Sequence, residues 1–242
     1  MSKVALVTGG TRGIGAAIAL GLKEKGYQVA ATYAGNDEKA AAFKAETGIH
    51  VYKWDVANPD ACAAGIAQVE ADLGAVDILV NNAGITRDGM FHKMSFEQWR
   101  EVLSTNLDSM FTMTRPVIEG MRARGFGRII NISSVNGQKG QMGQANYSAA
   151  KAGVIGFTKA LAQEGAFKGV TVNCICPGYI NTEMVAAMPE KVIDSIVAQI
   201  PVGRLGKASE IADMVCYLAA DEAAFITGAI MSVNGGQYMA NG

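Results

Sequence analysis

Short apolar segments alternate with longer helical stretches along almost the whole chain, and this alternation restricts the possible folds more than any other feature. The first pair is KVALVTGG at residues 3–10, which ends in glycine, followed by TRGIGAAIALGLKEKG at 11–26. The later apolar segments are YQVAATY, HVYKWDV, VDILVNNAG, GRIINISS, VTVNCICPG and AIMSVNGG. Strands that alternate with helices pair in parallel through right-handed crossovers. The pattern predicts an α/β protein with a doubly wound parallel sheet of the Rossmann type, in three layers (α/β/α).

Residues 1–242 contain no linker, repeat or low-complexity tract, so we expect a single domain. Helices are predicted over Asp60–Leu73, around Phe96–Arg115 and from Tyr147 onward. The stretch 181–205 is rich in Met and Ala and is interrupted by two prolines. It could form a helical flap that closes over a substrate, or simply one more packed pair of helices.

Composition argues against several classes of protein. A net charge of −1 gives no sign of a nucleic-acid or membrane partner. The chain has no apolar run of roughly 18 residues, and its first residues lack the features of a signal peptide, so a cytoplasmic protein is expected. Only two histidines and no CxxC pair make a metal site improbable, and the four cysteines are expected to be reduced packing residues.

The segment TGGTRGIG places Gly9, Gly13 and Gly15 between the first strand and the first helix. Glycine allows positive φ and a close approach of the backbone to a ligand. The helix N-terminus presents unpaired N–H groups and a partial positive charge, which suit a pyrophosphate. An ordinary glycine-rich turn is the alternative, but the strand before and the helix after favour a dinucleotide site.

The second strand ends ATYAGN, without the acidic residue that usually binds the ribose 2′-hydroxyl of NAD. A 2′-phosphate would be attracted by cations, and Arg12 in the glycine loop and Lys39 beyond the strand could supply them. Both could instead be solvated surface charges, and Asp37 and Glu38 lie close in sequence. This pattern favours NADPH/NADP+ over NADH.

The segment YSAAK places Tyr147 and Lys151 one helical turn apart, on the same face of a helix. A free phenol has a pKa near about 10, and a neighbouring ammonium group is expected to lower it toward neutrality. Ser134 is the last residue of the predicted strand GRIINISS and could donate a hydrogen bond to a substrate oxygen. Each residue alone has an ordinary explanation, but together they predict a site for acid–base catalysis.

These motifs, with NNAG at 81–84 and PG at 177–178, resemble the short-chain dehydrogenase/reductase family over nearly the full length. The resemblance implies that Tyr147 donates a proton, that Lys151 lowers its pKa and holds the nicotinamide ribose, and that Ser134 polarises the substrate carbonyl. It also implies that Asn106, in the segment TNL, completes a proton relay through water.

The resemblance also implies positions that contact the cofactor. They are Gly9, Arg12, Gly13, Ile14, Gly15, Lys39, Asp55, Val56, Asn82, Ala83, Gly84, Ile85, Thr86, Tyr147, Lys151, Pro177, Gly178, Ile180 and Thr182. Asp55 and Val56 would contact the adenine, and Thr182 the carboxamide. The substrate positions that it implies are Asp88, Ser134, Gln141, Gln144, Tyr147, Gly178 and Tyr179.

Within the family, the segments NNAGITRD and NISSVNGQKGQMGQANYSAAKAG are similar to those of reductases that act on acetoacetyl-CoA. This implies an acyl-CoA partner and the NADPH-dependent formation of (R)-3-hydroxybutyryl-CoA for polyhydroxybutyrate synthesis. The nearest alternative is a 3-oxoacyl-[acyl-carrier-protein] reductase of fatty-acid synthesis. Others are an NAD-dependent alcohol or sugar dehydrogenase and a non-catalytic dinucleotide sensor. The family resemblance also implies a homotetramer, with the helices around Phe96–Arg115 and Tyr147–Gly165 at the interface.

Overall fold

Seven strands form the centre of the protein in a computed structural model that describes residues 2–239. They are β1 Val4–Val7, β2 Gln28–Tyr33, β3 His50–Lys53, β4 Val76–Asn81, β5 Gly127–Ile132, β6 Val170–Pro177 and β7 Ile230–Val233. All neighbouring strands pair in parallel, in the order β3-β2-β1-β4-β5-β6-β7. Each lies within one of the seven apolar segments, so the predicted strands and the parallel sheet are confirmed.

Ten α-helices accompany the strands within residues 2–239. They are α1 Gly13–Glu24, α2 Asp37–Thr47, α3 Pro59–Leu73, α4 Phe96–Leu103, α5 Ser109–Arg124, α6 Val135–Lys139, α7 Ala145–Gly165, α8 Glu183–Ala186, α9 Glu190–Val197 and α10 Ala208–Ala219. Within the same residues, no helix is both long and apolar enough to span a membrane.

Helices cover both faces of the sheet, so the chain forms three layers. On one face, α1 and α10 pack together over the sheet and bury Ile18 and Leu22 of α1, which lie four residues apart on one side of the helix. On the other face, α3 and α5 bury residues such as Ile66 and Met113. Because both faces are covered, β5 and β6 are buried at every position, as expected for inner parallel strands. The three-layer Rossmann-type fold is confirmed.

The prediction of one continuous helix around Phe96–Arg115 is wrong in detail. The structure has α4, then a π-helical turn at Ser104–Asp108, then α5, which continues to Arg124. A single turn of π-helix inserts one residue into the helical ladder, and an apolar periodicity does not reveal it. The helix α10, which packs on α1 over one face of the sheet, was not predicted.

Candidate functional site

The candidate site lies at the carboxyl edge of the sheet, where β1 has β2 on one side and β4 on the other. The chain reverses its direction of winding at this point, and open α/β sheets bind ligands in the crevice that results. The glycine loop follows β1, residues 82–84 follow β4, Ser134 follows β5 within two residues, and Gly178 follows β6. The topology therefore brings motifs that are far apart in sequence to one edge.

The glycine loop has the backbone shape of an anion cradle. Gly9 and Gly13 have φ of +61° and +53°, a region that favours glycine. A Cβ atom on Gly15 would lie 2.1 Å from the carbonyl oxygen of Gly9, so a side chain cannot fit there. No side chain caps the start of α1, where Arg12 is the N-cap residue. The loop therefore fits a pyrophosphate, with the free N–H groups of α1 facing it.

The NNAG segment is fastened to this loop by side-chain hydrogen bonds. Asn82 donates through Nδ2 to the carbonyl oxygens of Thr8 and Gly9, at 2.9 and 3.2 Å. The hydroxyl oxygen of Thr8 accepts from the backbone N–H groups of Asn82 and Ala83, at 2.9 and 3.0 Å. The Asn82 side chain therefore holds two loops of the crevice together.

The proposed adenine contacts lie apart from the catalytic residues. Asp55 is exposed, and its Oδ1 accepts from the backbone N–H of Ala57 at 2.9 Å. Val56 is buried in the core beneath the site, and its carbonyl oxygen accepts from the Thr112 hydroxyl at 2.6 Å. Of this pair, Asp55 is therefore open to solvent and Val56 is not.

The two candidate cations lie near the start of the stretch 181–205. Lys39 forms an ion pair with Glu183 at the start of α8. Arg12 is exposed and close enough to contribute to lowering the pKa of the Glu183 carboxyl, after the larger effect of Lys39. The carboxylate of Asp37 forms a different ion pair, with Lys53 at 2.9 Å.

Tyr147 and Lys151 lie on one face of α7, as their spacing predicts. Lys151 is only 3% exposed, and its Nζ donates to the carbonyl oxygen of Ile132 at 2.8 Å. The same nitrogen lies 5.7 Å from the centre of the Tyr147 ring. Ser134 caps α6, with its hydroxyl oxygen accepting from the backbone N–H of Asn136 at 3.1 Å.

A cleft of about 190 Å³ joins these side chains to the cofactor motifs. Ten of the predicted residues line it: Ile14, Asn82, Gly84, Ile85, Thr86, Ser134, Tyr147, Lys151, Pro177 and Gly178. The remaining lining residues are Ile132 and Ser133. Ser134, Tyr147 and Lys151 therefore share one cavity with Ile14, which lies in the first turn of α1.

The pKa of Tyr147 is shifted in the direction opposite to the one expected from its spacing to Lys151. Burial raises the pKa of Tyr147 to about 12, a hydrogen bond with Ser134 lowers it in part, and the negative charge of Asp88 raises it further. Burial also lowers the pKa of Lys151 to about 8, because an ammonium group loses its hydration there. Desolvation by burial is therefore the largest cause of both pKa shifts.

Asn106 lies inside the π-helical turn and is fully buried. Its Nδ2 donates to the carbonyl oxygens of Val102 and Ile85 at 2.8 and 2.9 Å, and its Oδ1 accepts from the N–H of Ile85 at 3.2 Å. A Cβ atom on Gly84 would lie 2.5 Å from that Oδ1. The turn therefore packs Asn106 against the cleft wall, consistent with the frequent use of π-helical turns at functional sites.

Two asparagines that the sequence analysis missed organise the substrate side. Asn136 donates to Gln144 Oε1 at 2.9 Å, and Gln144 donates to Asp88 Oδ2 at 2.9 Å. Asn146 is fully buried and donates to the carbonyl oxygen of Arg87 at 3.0 Å. Their only sequence signal is position, two residues after Ser134 and one before Tyr147. Both hold the 86–90 loop against the start of α7.

The other predicted substrate residues lie around this bridge. Gln141 is half-buried in the connection between α6 and α7, where its carbonyl oxygen accepts from the N–H of Gln144 at 3.0 Å. Tyr179 and Ile180 line a neighbouring cavity of about 140 Å³ that shares Gly178 with the cleft. Thr182 lies over the glycine loop, since a Cβ on Gly13 would be 3.7 Å from its Cγ2.

Comparisons with known proteins agree with this geometry. Residues 9–237 match the family described as Enoyl-(Acyl carrier protein) reductase. The chain is 70% identical to an acetoacetyl-CoA reductase of Shinella zoogloeoides, over 98% of this chain and 99% of that protein. It is also 70% identical to an acetoacetyl-CoA reductase of Rhizobium meliloti (strain 1021), over 99% and 100%. A 3-oxoacyl-[acyl-carrier-protein] reductase of Vibrio cholerae is 48% identical, over 98% of each chain.

The regions matched in these two relatives cover 98% and 99% of the chain. The glycine loop, the NNAG segment and the serine, tyrosine and lysine at one cleft are the parts of a nicotinamide-dependent oxidoreductase. The chain belongs to the short-chain dehydrogenase/reductase family.

Proposed function

We propose that the protein reduces acetoacetyl-CoA to (R)-3-hydroxybutyryl-CoA with NADPH, for polyhydroxybutyrate synthesis. The observation that carries the proposal is the cleft in which Ser134, Tyr147 and Lys151 meet the cofactor motifs. The names of the two relatives at 70% identity supply the substrate. NADPH, when bound, provides the hydride that adds to the ketone carbon.

The chain's own groups handle the proton and hold the substrate oxygen. Ser134 and Tyr147 donate hydrogen bonds to the 3-keto oxygen, on which negative charge develops. Tyr147 then releases its proton to that oxygen. Since the pKa of Tyr147 is raised to about 12, the phenol is fully protonated at neutral pH. A protonated phenol is the form that can donate its proton to the developing alkoxide.

Lys151 and Asn106 support this step from the buried side of the cleft. The Lys151 amine would hold the ribose next to the nicotinamide, and its hydrogen bond to the Ile132 carbonyl oxygen fixes its position. Asn106 would complete a proton relay through water, as its match to the family implies. Because its side-chain amide is bonded on both sides to backbone groups, that side chain also holds the helix in the π-turn shape.

NADPH rather than NADH is favoured by the charges at the end of β2. The strand ends in Tyr33, and the residues up to Asn36 carry no acid. Asp37 is engaged by Lys53 on β3. Lys39 and Arg12 then provide the positive field for a 2′-phosphate.

The acyl-CoA would enter over the 86–90 loop. Asp88 and Gln144 are joined by a hydrogen bond at 2.9 Å, so they form one polar wall of the entrance. Gln141, Gly178 and Tyr179 would complete the contact with the acyl group and its thioester. Holding the cofactor and the acyl-CoA next to each other would account for much of the expected rate acceleration.

The residues 181–205 form a flap in this proposal. Both ends are fastened: the Asn181 N–H donates to the Gly206 carbonyl oxygen at 2.8 Å, and Arg204 forms two hydrogen bonds with Glu210. Between them, Val185 and Ile200 are buried, and α9, which lies between those two residues, has no buried residue. A segment held at its ends and exposed in its middle can open and close over a substrate.

A homotetramer is part of the proposal. Phe96 on α4 and Phe111 on α5 are 71% and 63% exposed on the region predicted to form an interface. Large exposed aromatic side chains are common where subunits meet. Analytical ultracentrifugation should give four times the mass of one chain, and a monomer would refute this part.

The decisive experiment measures kcat/KM for NADPH oxidation with acetoacetyl-CoA and with an acetoacetyl-carrier protein. We expect the CoA thioester to be preferred, and a strong preference for the carrier protein would support the alternative reductase of fatty-acid synthesis. Tyr147→Phe should lower turnover by about 100-fold or more while NADPH still binds. Full turnover in that variant would refute the catalytic assignment.

A further inference from the structure

The ion pair between Lys39 and Glu183 joins two regions that are 144 residues apart in sequence. Lys39 lies in the first turn of α2, where its backbone N–H is bound by the Asn36 side chain at 2.8 Å. Glu183 begins α8, directly after Thr182, which lies over Gly13 of the glycine loop. The start of the 181–205 flap is therefore held over the cofactor crevice by a charge pair.

The Glu183 carboxylate occupies a position of converging positive charge. Lys39 contacts it directly, and Arg12 acts on it from the glycine loop. These are the same two cations to which we assign the 2′-phosphate. Since Asp37 pairs with Lys53, it does not take part in this cluster. A carboxylate of the chain itself thus stands where an external anion would bind.

We propose that Glu183 is a specificity-determining residue that competes with the 2′-phosphate of NADPH for Lys39 and Arg12. This inference rests on the proposed use of NADPH. NADPH must displace the carboxylate to reach its cations, whereas NADH, which has a 2′-hydroxyl, need not. Glu183 therefore weakens NADPH binding selectively, and binding of NADPH releases the start of α8 from α2.

The size of the effect follows from the exposure of the pair. The side chains of Lys39 and Glu183 are 47% and 72% exposed, so water and salt screen their attraction. Exposed pairs of this kind change an equilibrium about two- to fivefold. The effect should decrease as ionic strength increases, because the Debye length falls from about 10 Å at 0.1 M to about 3 Å at 1 M.

The test is the dissociation constant of each cofactor, measured by quenching of intrinsic fluorescence without substrate. Glu183→Gln should bind NADPH about two- to fivefold more tightly than the natural protein and leave NADH binding unchanged. Glu190→Gln is the matched control, because Glu190 is an exposed acid of the same flap with no ion pair within residues 2–239. It should change neither constant.

Two further measurements separate this mechanism from an indirect effect on the flap. 2′,5′-ADP carries the phosphate without the nicotinamide. Calorimetry should show that Glu183→Gln binds it more tightly by the same factor as NADPH. In a Lys39→Met background, the gain from Glu183→Gln should become smaller, since one of the contested cations is gone. The substitution is at an exposed position, and unchanged thermal unfolding would verify that the fold is intact.

The outcomes distinguish the inference from the proposed function. If the natural protein binds NADH more tightly than NADPH, the proposed cofactor is wrong and the inference is refuted with it. If it prefers NADPH but Glu183→Gln leaves the NADPH constant unchanged, or tightens NADH equally, only the role of Glu183 is refuted.

Discussion

Replacing the buried Lys151 with methionine should make the protein more stable while removing its activity. Burial lowers the pKa of Lys151 from 10.5 to about 8. At about 1.4 kcal/mol per pKa unit, the charged amine destabilises the folded state by about 3 kcal/mol. Methionine has a similar length and no charge, but it leaves the Ile132 carbonyl oxygen without its donor, which costs about 1–3 kcal/mol. We expect a net stabilisation of about 1 kcal/mol at pH 7.

The pH dependence has a definite sign. The folded pKa of Lys151 lies below its unfolded value, so the unfolded chain binds more protons between pH 8 and 10.5. The contribution of this group therefore increases the free energy of unfolding of the natural protein as pH rises through that window. The destabilisation is fully present below about pH 8 and is lost above about pH 10.5. Lys151→Met has no such group, so its advantage should shrink as the pH rises.

Urea unfolding at pH 7, 8.5 and 9.5 checks both statements, at one protein concentration because assembly affects apparent stability. Lys159→Met is the control, since Lys159 is an exposed lysine on the same helix, and it should give no stabilisation. The reasoning fails if Lys151→Met unfolds at lower urea than the natural protein at pH 7. It also fails if the difference between the two proteins grows with pH.

Three other substitutions test the site. Asp88→Asn removes a charge that raises the pKa of Tyr147, so the alkaline limb of the kcat profile should move to lower pH; no movement would contradict this assignment. Gly84→Ala places a methyl group 2.5 Å from Asn106 Oδ1 and should lower kcat at least about tenfold; near-normal turnover would show that the turn can yield. Gly15→Ala meets a backbone oxygen at 2.1 Å and should abolish cofactor binding measured by fluorescence; retained binding would contradict the cradle.

Local patterns determined much of this protein. The seven apolar segments predicted the strands, because parallel strands buried on both faces must be apolar throughout. The glycine loop was predictable because its φ values require glycine. The spacing of Tyr147 and Lys151 was sufficient to put both on one helix face, since residues four apart are neighbours there. These features depend on a few consecutive residues, and the sequence contains all of that information.

Only the tertiary structure decided the electrostatics and the contacts between distant segments. The spacing of Tyr147 and Lys151 suggested attraction between them, but burial by the whole fold raises one pKa and lowers the other. The pairing of Lys39 with Glu183 joins segments whose separation in sequence gives no indication of contact. The π-helical turn at Asn106 likewise depends on what packs against it. Desolvation and long-range pairing depend on how the layers assemble, and no local pattern records them.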